Sequence, residues 1–384
     1  MYRPRNLVRC AARVLAATVL AAAGAVVTVA GPASGATFSV SNTNDAGGGS
    51  LRDAVAMAAA AAGDDEVVIP PGLGTITLAS TIDYAAGSLG ALTIRGNGAT
   101  IVDGFGGVAL SNGTAAEHVI LEDLTITRAA PGGNLVRSTD APLTVRRLTV
   151  TNGGVSIRDG ALTIVDSTVS GHTSDGINSL DGPIRLERSL STGHGDDGIN
   201  TSGGTVTVVN STIAGNDGDA VNGAGGNPGD TAIIIQSTLV DNALGGGEGH
   251  IDTENLTAFA SVFGPLGDPT ATACDDASPP VVTSNGYNWS FDASCGFTGP
   301  GDVQNVGDFG LGPLADNGGP TRTLLPQTGS PLIDAAPEAA CDPAVTVDQR
   351  SLARPSDGNG DGVLACDVGS VEVQGALLTV RFTG

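Results

Sequence analysis

The sequence predicts an all-β chain, a right-handed single-stranded parallel β-helix with a short N-terminal capping helix. Three observations predict it. Short runs rich in Val, Ile, Leu and Thr alternate apolar and polar residues with a period of two; the runs recur about every 22 residues; and Gly, Asn and Asp bound each run too closely for a helix to fit between.

The first element is an expected export signal over residues 1–36. Arg3, Arg5, Arg9 and Arg13 precede an apolar stretch at 14–30, and Ser34, Gly35 and Ala36 supply a small-x-small cleavage site. Cys10 has no lipobox before it, and no other run approaches a membrane span, so an extracellular chain with no membrane insertion after cleavage is expected. Without the leader, 13 arginines and no lysine stand against 40 acids, a formal charge of −27. Such a surface repels nucleic acid, and repels anionic polysaccharide unless divalent cations intervene. Four cysteines remain, an even number that fits two disulfides in an exported monomer better than a metal cluster.

A capping segment follows over 37–64. In GSLRDAVAMAAAAAG, residues 49–63, Ser50 can cap a helix over 50–62, Asp53 sits at the third helical position, and Leu51, Val55 and Ala58 or Ala59 share a face. A solenoid needs such a lid, because its open end exposes apolar core and unpaired strand edges.

The coils are expected over 65–265, with early strands near 67–69, 75–78 and 92–94. From 119 to 263 the chain repeats a short strand, a small or polar pivot, a second strand and a Gly/Asn/Asp turn, as in LTIVDSTV at 162–169 and VTVVNSTI at 206–213. Aligning the pivots Leu124, Leu148, Ser167, Ser189, Ser211, Ser237 and Ser261 gives steps of 24, 19, 22, 22, 26 and 24 residues. That is one turn of a solenoid with strands about 4.8 Å apart, and the leucine-asparagine pattern of leucine-rich repeats is missing.

The two ends of the chain carry longer blocks. FSVSNTNDAGGGSLRDAV at 38–55 resembles the N-terminal signature of the CSLREA-type and choice-of-anchor Q exported β-helix proteins. SNGYNWSFDASCGFTGPGD at 284–302, LGPLADNGGPTRTLLPQTGSPLIDAA at 311–336, VDQRSLARP at 347–355 and CDVGSVE at 366–372 are similar to their C-terminal blocks. The resemblance implies secretion, a pectin lyase-like solenoid and often a C-terminal attachment device, but no one activity. Ser351 replaces a usual Gly and Val371 a usual aromatic residue. Residues 375–384 carry no LPxTG-like sorting sequence, so release is expected rather than surface attachment. Residues 266–384 form the expected closing region. Four cysteines allow three connectivities; Cys274 with Cys295 and Cys341 with Cys366 are nearest in sequence and lie in separate blocks, so these pairs are expected.

Three turns repeat at identical spacing: GHTSDGIN at 171–178, GHGDDGIN at 193–200 and GNDGDAVN at 215–222. The step of 22 stacks Asp175, Asp197 and Asp219 in one row, Asn178, Asn200 and Asn222 in another, and His172, His194 and Asn216 in a third. GHGDDG at 193–198 is similar to the Gly-Asp-Asp and Gly-His-Gly motifs of polygalacturonase-like hydrolases, which use paired carboxylates on this fold, so Asp175, His194, Asp196, Asp197 and Asp219 are catalytic candidates. Those enzymes carry the motifs in different coils with a basic residue beyond; here the motifs overlap and no Arg-Ile-Lys follows. A structural ladder of turn residues explains the same pattern. A lyase needs a basic residue near calcium-bound uronate, and no motif singles out Arg158, Arg185 or Arg188.

Tyr287, Trp289 and Phe291 alternate and can form a sugar-stacking platform or pack on the last coil. DGNGDG at 357–362 matches the first half of a calcium loop, with Asp357, Asn359 and Asp361 as oxygen donors and Asp367 or Glu372 available to complete the shell, although Val368 stands where the closing Glu belongs. The expected function is non-catalytic binding of a polysaccharide or another cell-surface component, with Ca2+ as the candidate cofactor. The alternative is a glycoside hydrolase or polysaccharide lyase acting at the turns around residues 172–222. A deep groove with facing carboxylates favours the enzyme, and a flat asparagine ladder favours binding.

Overall fold

Alternating apolar residues turn one face of each short strand inward, and stacking coil on coil buries that face. The computed structural model describes residues 35–84, 90–107, 109–112, 118–223, 229–245, 249–275 and 279–375; the expected leader and the tail after 375 lie outside the described residues. Each central coil contributes three strands. Leu162–Val165 pairs in parallel with Ile184–Glu187, Thr168–Ser170 with Leu190–Thr192, and Ile177–Leu180 with Ile199–Ser202. The first two strands of every coil belong to one large sheet bent at the pivots, and the third belongs to a separate eight-stranded sheet. Ile164, Leu186, Val208 and Ile234 stack inside the first sheet and Val155, Ile177, Ile199 and Val221 inside the second, all fully buried.

The bend between the first two strands has a chemical basis. Asp166, Arg188, Asn210 and Gln236 adopt left-handed φ of 52°, 46°, 45° and 45°, and a buried serine follows each. The backbone N–H of Ser167 donates to Ser189 Oγ, Ser189 N–H to Ser211 Oγ, Ser211 N–H to Ser237 Oγ and Ser237 N–H to Ser261 Oγ, over 3.1 to 3.2 Å. The serine ladder thus satisfies the donors that the bend removes from the sheet.

The helix Leu51–Ala60 forms where expected, with Ser50 Oγ accepting from Asp53 N–H, and it buries Leu51, Ala54, Val55 and Ala58. Parallel stacking continues one coil beyond residue 265, since Val281–Ser284 pairs with Asn255–Phe259 and Trp289–Ser290 with Val262–Phe263. Phe297 then packs on Phe263 with ring centres 5.0 Å apart, beside a Cys274–Cys295 disulfide. Beyond it, the antiparallel pair Leu311–Ala315 and Thr323–Pro326 and a strap held by Cys341–Cys366 return along the pivot side of the coils. Gln349 anchors the strap: its Oε1 accepts from Thr212 Oγ1 at 2.7 Å and its Nε2 donates to Ser189 O at 3.1 Å. Among the described residues no helix is long and apolar enough to cross a membrane.

Candidate functional site

On the outer face of the eight-stranded sheet, the register sets Arg137, Ser156, Asn178, Asn200 and Asn222 in one row, and Thr139, Arg158, Leu180 and Ser202 in the next. The row of three asparagines is the one the 22-residue step predicts. All of these but Asn222 line a groove of about 690 Å³. Among the described residues eight arginines are ion-paired, including Arg147 with Glu122 and Asp123 and Arg188 with Asp166 and Glu187. Arg137, Arg146, Arg158 and Arg322 pair with no described residue, and of these Arg137 and Arg158 line the groove.

The turns that lead into two of these strands carry acids tied to the groove wall. Asn178 Nδ2 donates to Asp175 Oδ2 at 3.1 Å, and Asn200 Nδ2 donates to Asp197 Oδ2 at 3.0 Å. With Asp196 the two aspartates converge, one oxygen from each lying within 4.8 Å of the others. Glycine makes the approach possible, because a Cβ at Gly218 would meet Asp197 Oδ1 at 2.5 Å and Asp196 Oδ1 at 2.8 Å. Burial pushes Asp197 up to about 7 against the pull of its hydrogen bonds from Asp219 N–H and Asn200. Burial, then the charges of Asp175 and Asp217, raise Asp196. Carboxylates so crowded resist ionising together unless a cation joins them. Oxygens that share one calcium at about 2.3–2.6 Å lie at most about 5 Å apart, so three hard donors at this spacing fit that ion.

The other catalytic candidates lie within the wall. His194 is buried: its Nδ1 accepts from His172 N–H at 3.1 Å and its Nε2 meets Ser191 Oγ at 3.1 Å, so Nε2 carries the proton of a neutral ring. Burial holds its pKa down to about 3. Asn216 and Asn242 continue that stack one and two coils on, with His194 N–H donating to Asn216 Oδ1 and Asn216 Nδ2 to Asn242 Oδ1. Asp219 is also buried and turns its Oδ1 to Gly249 N–H.

Tyr287, Trp289 and Phe291 are half-buried between the last coil and the strap, Tyr287 edge-on to Phe259 and Phe291 edge-on to His250. In the acidic loop, Asp357 Oδ1 accepts from Gly360 and Asp361 N–H, Asn359 Oδ1 from Asp361 N–H, and Asp361 Oδ1 from Val363 N–H. Asp334 reaches this loop, accepting from Gly358 and Asn359 N–H, whereas Asp367 is buried and accepts from Asp334 and Val373 N–H. Sequence reasoning missed Arg137 and Asp217. Arg137 was legible in principle, since it heads the asparagine row once NLVRST at 134–139 is aligned with GVSIR at 154–158.

No protein-family model matches the chain, and no curated protein sequence matches it. Among solved structures it is similar to the one titled "Crystal structure of pectate lyase Pel9A", with a TM-score of 0.48 and 13% identity over 89% of this chain and 97% of that one.

Proposed function

We propose that the protein binds an acidic polysaccharide along the outer face of the eight-stranded sheet, without cleaving it, and that calcium held by Asp175, Asp196 and Asp197 joins the glycan to the chain. The observation that carries this reading is a groove that holds two free guanidiniums, Arg137 and Arg158, and whose Asn178 and Asn200 hydrogen-bond to members of a convergent set of carboxylates. In so acidic a chain the unpaired arginines mark where a uronate carboxylate is welcome, and calcium supplies the remaining neutralisation. Secretion, release as a monomer and kinship with the choice-of-anchor Q proteins belong to the same proposal, and the loop of Asp357, Asn359 and Asp361 is the alternative place for the ion.

A catalytic role is the second reading, favoured by Asp197, a carboxyl held near neutrality beside Asp175 and Asp196, as an acid–base pair requires. Against it, both Asp197 oxygens are engaged by Asp219 N–H and Asn200, and the group is 2% exposed, out of reach of a glycosidic oxygen. The test is binding of polygalacturonate and of a neutral glucan in calcium and in chelator, with product release followed in parallel. Calcium-dependent binding of the acidic polymer, weakened at least about tenfold in Arg137→Ala and Asp196→Asn, is expected, with no new chain ends. Equal binding of the neutral glucan would overturn the uronate reading, and cleavage lost in Asp197→Asn would establish the catalytic one.

A further inference from the structure

A second concavity lies where the closing region folds back over the coils. Val240 from one coil and Phe309, Leu314 and Leu324 from the closing region make its apolar floor, and its volume is about 510 Å³. Pockets of this size take small organic molecules. Two carboxylates stand on its rim, Asp241 and Asp308, and no arginine lines it. Asp241 is held in a left-handed turn, φ 53°, by its own N–H donating to Pro265 O at 2.8 Å, and no described residue donates to its carboxylate. Although its side chain is exposed, partial desolvation by its surroundings pushes that carboxyl above its ordinary range. Asp308 spends one oxygen on Gly310 N–H and keeps the other.

We propose that this pocket binds a small organic cation, an ammonium group carried on a ring or hydrocarbon body, with the body on the Phe309–Leu314–Leu324 floor and the charge between Asp241 and Asp308. A metal ion fits poorly, since calcium needs six to eight oxygens and the floor offers hydrocarbon. A neutral apolar ligand gains only the floor, whereas an ammonium group also gains the two exposed carboxylates at the rim.

The chain carries a reporter for this site. Its single tryptophan, Trp289, packs against the same apolar cluster as Phe309 and Leu324. Phenethylammonium and the neutral phenethyl alcohol are titrated into the protein, read by Trp289 fluorescence and by ligand-observed saturation-transfer NMR. Asp241→Asn, Asp308→Asn and the double variant accompany the wild type; the side-chain amide that Asp308→Asn introduces keeps an oxygen for Gly310 N–H, and thermal unfolding checks that each variant folds. Saturable binding of the amine is expected, weaker by about fivefold in each single variant and further in the double, with the alcohol weaker than the amine. Equal affinity for amine and alcohol, unchanged affinity in the double variant, or no saturation by either readout would each overturn the proposal.

Discussion

Ser211 explains why the pivots are serine. It is fully buried, accepts from Ser189 N–H at 3.1 Å and donates to Val209 O at 2.8 Å, so one hydroxyl serves two coils at the bend. Ser211→Ala strands a buried N–H, and a loss of about 1–3 kcal/mol in chemical denaturation is expected; unchanged stability would show that the ladder is incidental. His250 makes the complementary case for the buried imidazoles. Its Nε2 donates to Gly264 O at 2.8 Å and its Nδ1 faces Asn242, and burial holds its pKa at about 4, below the ordinary 6.5. The ring is neutral when folded, so its contribution is complete above pH 6.5 and is lost as pH falls toward 4, on the order of 3 kcal/mol when fully developed. Denaturation midpoints at pH 7.5 and 5 should diverge less in His250→Gln than in wild type, and equal divergence would refute the assignment. Residue type alone could not separate these roles. His172 and His194 repeat at the same step as the aspartates, and only the fold reveals that His194 spends both ring nitrogens on its neighbours while Asp175, Asp196 and Asp197 turn carboxylate oxygens together.

At the scale of elements, what a short window of sequence controls was legible. The helix Leu51–Ala60 follows from its cap and its apolar face, and the strands follow from their period of two. The strap was not, because its contacts join residues far apart in the chain. Gln349 bridges to Thr212 and Ser189 across 137 and 160 residues, and Ser370 N–H donates to Thr238 Oγ1 across 132. Nothing periodic announces such pairs. They tie the strap to the coils beside the apolar cluster that Val368 shares with Ala214, Val240 and Val262, and the strap is expected to open before the coils do. Gln349→Ala removes four bonds at one buried side chain, counting those from its Nε2 to Thr321 Oγ1 and Arg322 O, and should cost about 2 kcal/mol or more. Hydrogen exchange should then rise across residues 345–372 while the strands at 162–214 keep their protection. A uniform rise through both regions would mean that strap and coils unfold as one.

For the whole molecule the governing quantity is charge: 40 acids against 17 arginines, with no lysine, give a formal −23 for the full chain. Compaction brings those acids closer than the unfolded chain does, so self-repulsion opposes folding and any salt should relieve part of it. A calcium effect is informative only beyond that general screening. The cluster of Asp175, Asp196 and Asp197 supplies the distinction, because three oxygens within 4.8 Å of one another exist only after two coils have stacked. Calcium bound there stabilises the folded form alone, by about 2.7 kcal/mol at a hundredfold excess over its dissociation constant, which for a chain of this size is a rise of several degrees in the unfolding midpoint. The acidic loop at 357–362 offers a competing site whose donors, Asp357, Asn359 and Asp361, are close in sequence and need no stacking of coils to come together. Thermal unfolding in millimolar calcium, in sodium chloride of equal ionic strength and in chelator is therefore measured for wild type, Asp196→Asn and Asp361→Asn. A calcium-specific rise that Asp196→Asn abolishes and Asp361→Asn preserves is expected. The reverse pattern would move the ion to the closing loop, and equal midpoints in calcium and in matched sodium chloride would leave screening as the whole effect and remove the cation from the proposed glycan site.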